Sequence, residues 1–198
     1  MTKIKKIDIP YGIIIRILLL AVIVYVITIP FQIVRLSESV KESNQYKGNE
    51  ILIFKSNKSE VDSIILNKVS TDYYPPDMGE MFWSRNVEIL RVYTEIDNFG
   101  NYFISYEPNS HSSEINVYFD IVLSGNRYSH STTFNELDKL KKHKVIIAGN
   151  EYYDVKFIDR TYRKSNKQHI DRIYWSNSNG IVRIDVDKNY YWELLNKK

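Results

Sequence analysis

Hydrophobic and polar positions follow two regimes along this chain, and the change comes near residue 35. From Tyr11 to Val34 almost every side chain is apolar, and Arg16 is the single group in the run that carries a charge. The hydrocarbon layer of a bilayer is ~30 Å thick, and a helix rising about 1.5 Å per residue needs about 20 apolar residues to cross it. The run therefore predicts a transmembrane helix over 11–35. Pro10 suits its first turn, Arg16 lies close enough to the entry for its stem to carry the guanidinium back to the headgroups, and Gln32 and Arg35 mark the far boundary. A cleaved signal has a shorter apolar stretch followed by a small-x-small site. Thr28-Ile29-Pro30-Phe31 offers no such site, so the expected segment is an uncleaved anchor.

Beyond the run, Leu36 to Asn49 (LSESVKESNQYKGN) is polar and almost free of aliphatics, which predicts a tether. From Glu50 onward the period becomes two. Ile115, Val117, Phe119, Ile121 and Leu123 alternate with Asn116, Tyr118 and Asp120, the pattern of a half-buried strand. Leu90, Val92 and Ile96 alternate with Arg91, Tyr93 and Glu95, and Tyr153, Val155 and Phe157 with Asp154 and Lys156. Further strands are predicted at Ile51–Phe54, Ser63–Val69, YFISY, KVIIA, RIYWS, IVRIDV and Tyr191–Leu195. Turn chemistry separates them: Gly149-Asn150, Asn179-Gly180, Ser124-Gly125-Asn126 and Asn98-Phe99-Gly100-Asn101. Only Asn135 to Lys142 reads as helical, with Thr132 or Thr133 as N-cap.

The predicted fold class is therefore mainly β. An N-terminal transmembrane helix precedes one antiparallel, strongly twisted sheet or half-barrel with one short helix, a β-sandwich being the other option. The predicted organisation is a short cytoplasmic tail (1–10), the span (11–35), a linker (36–49) and a β-rich exposed domain (50–198). Lys3, Lys5, Lys6 and Arg16 lie before or at the start of the span, against Arg35, Lys41 and Lys47 after it. The tight amino-terminal cluster favours a cytoplasmic amino terminus, with the large domain outside an inner (cell) membrane.

Candidate chemistry is sparse. The chain has no cysteine, which removes lipidation through a thiol and thiolate metal sites. His111, His130, His143 and His169 show no metal-binding spacing, and a solvated histidine is expected at each. Asp185-Val186-Asp187-Lys188-Asn189 opens like a calcium loop, but the glycine and glutamate positions hold Tyr190 and Asn196, so a strand-end turn is expected. No nucleophile elbow, phosphate loop or zinc helix is present, so no catalytic residue, cofactor or metal is expected. Carboxylates for glycoside hydrolysis remain available at Asp62, Asp120, Asp154 and Asp159, which keeps an envelope carbohydrate-active enzyme as an alternative.

Two surface features suggest binding. Tyr73 and Tyr74, with Pro75, Pro76, Phe82 and Trp83, form an aromatic cluster suited to sugars, peptides or a partner's side chain. Net charge is only +3, yet basic residues concentrate between Lys139 and Arg172. Arg160, Arg163, Lys164 and Lys167 there are candidates for docking an anionic lipid or an acidic envelope protein. A domain outside the cytoplasm makes nucleic acid an unexpected partner, whereas a cytoplasm-facing domain would meet the anionic inner leaflet.

The segments ILIFKSNKSEVDSIILNKV and IDRIYWSNSNGIVRIDVDKNYYWEL resemble parts of small exported bacterial proteins that have no assigned function and are held by a lipid or an amino-terminal helix. The likeness rests on Tyr174, Ser176, Gly180 to Arg183, and Trp192 to Leu194, a closing hairpin with a terminal aromatic strand. It implies a membrane-held β-rich protein and carries no residue roles. Similar hairpins close half-barrels that bind lipid or lipoprotein, a likeness of fold alone.

Overall fold

Period-two alternation becomes strand wherever one face finds a core to cover. The computed structural model describes residues 11–28, 33–74, 86–94, 102–109, 112–160, 170–187 and 189–198. After helix α1 (Tyr11–Thr28) come β1 (Ile33–Val34), α2 (Glu38–Glu42), β2 (Ile51–Ser56), β3 (Val61–Tyr74), β4 (Asn86–Thr94), β5 (Tyr102–Pro108), β6 (Ile115–Leu123) and β7 (Asn126–Thr133). Then follow α3 (Phe134–Lys139), β8 (His143–Ile147), β9 (Asn150–Asp159), β10 (Arg172–Ser176), β11 (Gly180–Asp187) and β12 (Tyr190–Lys197).

One sheet results, ordered β7-β6-β5-β4-β3-β2-β12-β11-β10-β9-β8, antiparallel throughout except for β1, which adds in parallel to the start of β4. The path is open, with β7 and β8 at its edges. Long β3 makes the bend: Val61–Ile65 pair with β2, and Leu66–Tyr74 pair with β4 beyond a register shift at Leu66/Lys68. The inner faces of the two halves then meet. Phe119 on β6 stands edge-on to Trp175 on β10 at 5.9 Å, and Tyr46 is wedged edge-on against both Phe103 of β5 and Trp175. A mainly β fold with an open, twisted antiparallel sheet and a short helix is thus what forms.

Turns agree with their residues and shift in detail. Ser124-Gly125 and Ala148-Gly149 are two-residue hairpin loops with positive φ throughout, so the β8–β9 loop lies one residue earlier than Gly149-Asn150. Helix α3 begins after Thr133, whose side chain accepts from the Glu136 amide while Glu136 reaches back to the Thr133 amide. The predicted turn around Phe99 and the continuation to Ile96 lie outside the described residues.

The first 50 residues depart most from expectation. Helix α1 is described over Tyr11–Thr28, and these 18 residues span about 27 Å. Among the described residues no helix is long and apolar enough to cross a membrane. The expected span over 11–35 is also too long at its far end, because Ile33 and Val34 are strand and Leu36 lies in the core. The expected tether at 36–49 is instead packed: Leu36, Val40 and Tyr46 belong to the core cluster.

Polar groups fasten this segment down. The buried carboxylate of Glu88 accepts from the Leu36 amide at 2.8 Å and pairs with Lys41 at 3.3 Å. Glu50 accepts from the amides of Lys47, Gly48 and Asn49. At Gly48 (φ +82°) a Cβ would stand 2.5 Å from the Lys68 backbone, so the close approach admits only glycine. At Gly180 (φ +81°) a Cβ would meet the Tyr46 hydroxyl at 2.2 Å, and that hydroxyl accepts from the Ile181 amide at 2.8 Å.

Candidate functional site

Strand β9 positions the group of most chemical interest. Its alternation predicts Val155 and Phe157 inward and Lys156 outward. Val155 is fully buried in the core as expected, but Lys156 is buried as well: it pairs with Trp175 across β9 and β10, on the face that also carries Ile158 and Ile173. Phe157 faces out, stacked on His143 at 4.4 Å and edge-on to Tyr174. That outer aromatic layer is why an apolar residue sits on the wrong side of the pattern.

Helices α2 and α3 cover the same end of the core and leave a half-open cleft of about 320 Å³ between them. Phe134, Leu137 and Trp175 supply its apolar surface, while Ser39, Glu42, Ser43, Gln45, Asp138 and Asn177 supply polar groups around Lys156. The Lys156 side chain is only 6% exposed. Its ammonium donates to the Asp138 carbonyl at 3.3 Å and stands 3.8 Å from the Asp138 carboxylate, which is itself 74% exposed. Burial pushes the Lys156 pKa down, Lys142 pushes the same way, and Asp138 opposes them. Beneath the α2 wall, the buried Tyr106 hydroxyl lies beside Ser43 without reaching hydrogen-bonding geometry. A cation largely withdrawn from water at the side of a ligand-sized cavity is suited to receiving an anionic group.

The residues singled out from the sequence do not gather here. Tyr73 and Tyr74 end β3, 56% and 38% exposed, with the Tyr73 hydroxyl donating to Glu88 at 3.3 Å and Tyr74 in contact with Arg91. In register Tyr74 faces Val87, which pairs with Val34, so the tyrosines flank the point where the chain enters the domain. Phe82, Trp83, Arg163, Lys164 and Lys167 lie outside the described residues, as do His111 and His169. Arg160 follows β9 and faces Asp171 at 3.8 Å. The basic concentration is partly neutralised, since Lys144 pairs with Glu151 and Arg172 with Asp159.

The four carboxylates considered for hydrolysis are each engaged in structural contacts. Asp62 holds the Ser124 amide at 2.6 Å, Asp120 grips Arg127, Asp154 accepts from Ser176 and Ser178, and Asp159 pairs with Arg172. A shallower cleft of about 230 Å³ brings Asp159, Asp171, Asp185 and Asp187 beside Arg172, Arg183 and Tyr191. Arg183 there donates to Asp185 at 2.7 Å and Glu193 at 3.1 Å, and lies over the Tyr191 ring. Asp185 is thus tied to its own strand. Among the described residues no group of histidines and carboxylates is placed to hold a metal ion.

One histidine reverses its expectation. His130 on β7 is 8% exposed rather than solvated, and its Nε2 has no hydrogen-bond partner among the described residues. Burial is the main cause that lowers its pKa, and Arg160 adds to it. Lys156 is the functional candidate that sequence reasoning missed. The signal was the run Val155-Lys156-Phe157-Ile158, in which no single phase puts every apolar residue inside. Comparison with protein-family models, with curated proteins and with solved structures returned no match.

Proposed function

We propose that this chain is a binding module held at a membrane by its amino-terminal helix, with the β domain on the extracytoplasmic side. The observation that carries the reading is α1 itself. Its described large hydrophobics, from Ile14 at 40% exposed to Tyr11 at 85%, are uncovered on every side of the helix. A helix apolar all round calls for a lipid or protein environment. The described turns are somewhat short for a bilayer, but the apolar sequence continues through Ile29-Pro30-Phe31. Two residues after Phe31 the chain enters β1, and α2 follows as one wall of the cleft. Anchor and binding site are therefore close in sequence.

The lysine distribution favours a cytoplasmic amino terminus. Exposed tyrosines beside the entry point suit the headgroup level of a bilayer, where amphipathic rings concentrate. Mixed polar lining of the cleft favours a small polar ligand, or a segment of an envelope polymer or protein, over an acyl chain. The test is alkaline carbonate extraction of membranes carrying the full chain, combined with carboxy-terminal fusion to a reporter active only outside the cytoplasm. Retention in the pellet with an active reporter is expected. Release into the supernatant removes the anchor, and an inactive reporter with retention moves the domain to the cytoplasmic leaflet.

A further inference from the structure

We infer that the cleft between α2 and α3 is a carboxylate site, in which Lys156 receives a monoanionic carboxylate whose attached polar groups meet Ser39, Ser43, Gln45 and Asn177. This assignment rests on reading the cleft as the module's ligand site. A lysine ammonium has three donors. Among the described residues Asp138 alone engages this one, through a carbonyl at 3.3 Å and a carboxylate at 3.8 Å. That carboxylate faces solvent and is well screened, so the pair leaves a buried charge incompletely compensated. A ligand oxygen approaching from the cleft would complete its shell.

Charge also sets the class of anion. One buried cation shares the cleft lining with Glu42 of α2 and Asp138 of α3. The lining already carries one more negative than positive charge, so the least charged anion is favoured: a carboxylate of charge −1 meets less repulsion from Glu42 and Asp138 than a phosphate carrying about −1.5 to −2. Size agrees, because about 320 Å³ lies at the small end of ligand cavities, which run from ~300 to ~1,000 Å³. Phe134, Leu137 and the Trp175 edge offer an apolar side for the ligand's body, and the hydroxyl and amide side chains offer neutral hydrogen bonds. The carboxylate could belong to an acidic sugar or to the carboxyl terminus of a short peptide.

Titration calorimetry on the full chain in lipid nanodiscs tests this with paired probes: glucuronate against glucose, and N-acetyl-alanine against its amide. The acid of at least one pair is expected to bind about tenfold or more tightly than its neutral partner, the worth of a charged hydrogen bond. The pair that responds identifies the source. Lys156→Met should remove that preference. Asp138→Asn, at an exposed position, should tighten acid binding by freeing the ammonium, a direction that mere damage to the fold would not give, and it carries the test if Lys156→Met does not fold. Equal binding of acids and neutral probes, abolished by the cleft-filling Ser43→Trp, overturns the carboxylate assignment and leaves the cleft as a ligand site. Tighter binding of inorganic phosphate than of either acid overturns it likewise. No binding by any probe, or binding indifferent to Ser43→Trp, removes the cleft as a ligand site altogether.

Discussion

Glu50 is a carboxylate placed to organise backbone. It sits at the end of the segment 36–49 with three amide donors from Lys47, Gly48 and Asn49, and the Lys197 ammonium stands 3.7 Å away. Burial alone would push its pKa up. The three amides and Lys197 outweigh that and hold it below the ordinary 4.5. A carboxyl with a lowered folded pKa contributes stability that is fully present above its unfolded value and is lost as pH falls through the folded one. Glu50→Gln should therefore lower stability by about 1–3 kcal/mol at pH 7, the worth of hydrogen bonds to a charged group. The gap from wild type should shrink as pH drops below about 4.5. Urea midpoints measured at several pH values would show it, and a gap constant from pH 7 to pH 3 would mean that the charge contributes nothing. Gly48 supports the same structure sterically, since its backbone approach to Lys68 and Val69 leaves no room for a Cβ.

Helix α3 shows how a short element can be defined by its first residue. Its six residues are too few to hold a helix by propensity, so the reciprocal bonds of Thr133 and Glu136 and the burial of Leu137 must fix it. Because α3 carries Phe134, Leu137 and Asp138, that cap also frames the cleft. Thr133→Ala should cost about 1 kcal/mol. The urea midpoint should move with no change in slope, and an unchanged midpoint would show that Leu137 packing holds the helix without the cap. This helix was legible from the N-cap threonines at its start, of which Thr133 is the one used, although it runs over Phe134–Lys139 rather than from Asn135 to Lys142. Strand β6 was legible too, since Val117, Phe119, Ile121 and Leu123 all face one core. Strand β7 was not: NRYSHSTT shows no apolar alternation, and its inward residues are Tyr128 and His130. In β9 Val155 is buried as its alternation suggests, but Lys156 and Phe157 were misplaced because Phe157 joins a His143–Phe157–Tyr174 cluster, so apolarity there no longer marks the inside. The cleft was hidden for the same reason, and also because its other wall lies in a stretch that composition labels as a tether.

At the scale of the whole molecule, the folding unit begins at β1 rather than at Glu50. Leu36, Val40 and Tyr46 are spaced too irregularly for a sequence pattern to announce them, yet all three belong to the same core cluster as the strands' inward residues. Burying such side chains contributes roughly 1.5–3 kcal/mol each. Together they are comparable with the 5–15 kcal/mol by which a typical domain is stable. Removing them would also strip the buried Glu88 carboxylate of its Leu36 and Lys41 partners and leave the Ile181 amide without the Tyr46 hydroxyl. A chain beginning at Ile33 should therefore unfold in one cooperative transition, whereas a chain beginning at Glu50 should be unfolded or aggregate, as read by near-ultraviolet circular dichroism and urea titration. The same truncations bear on the anchor. If α1 serves only as membrane attachment, the chain from Ile33 should match the full-length domain in urea midpoint once both are measured in the same micelles. A midpoint markedly lower without α1 would mean that the helix packs on the domain or on a second copy of the chain. Equal stability from a chain beginning at Glu50 would instead restore the 36–49 segment to a mere tether and remove the α2 wall from the cleft.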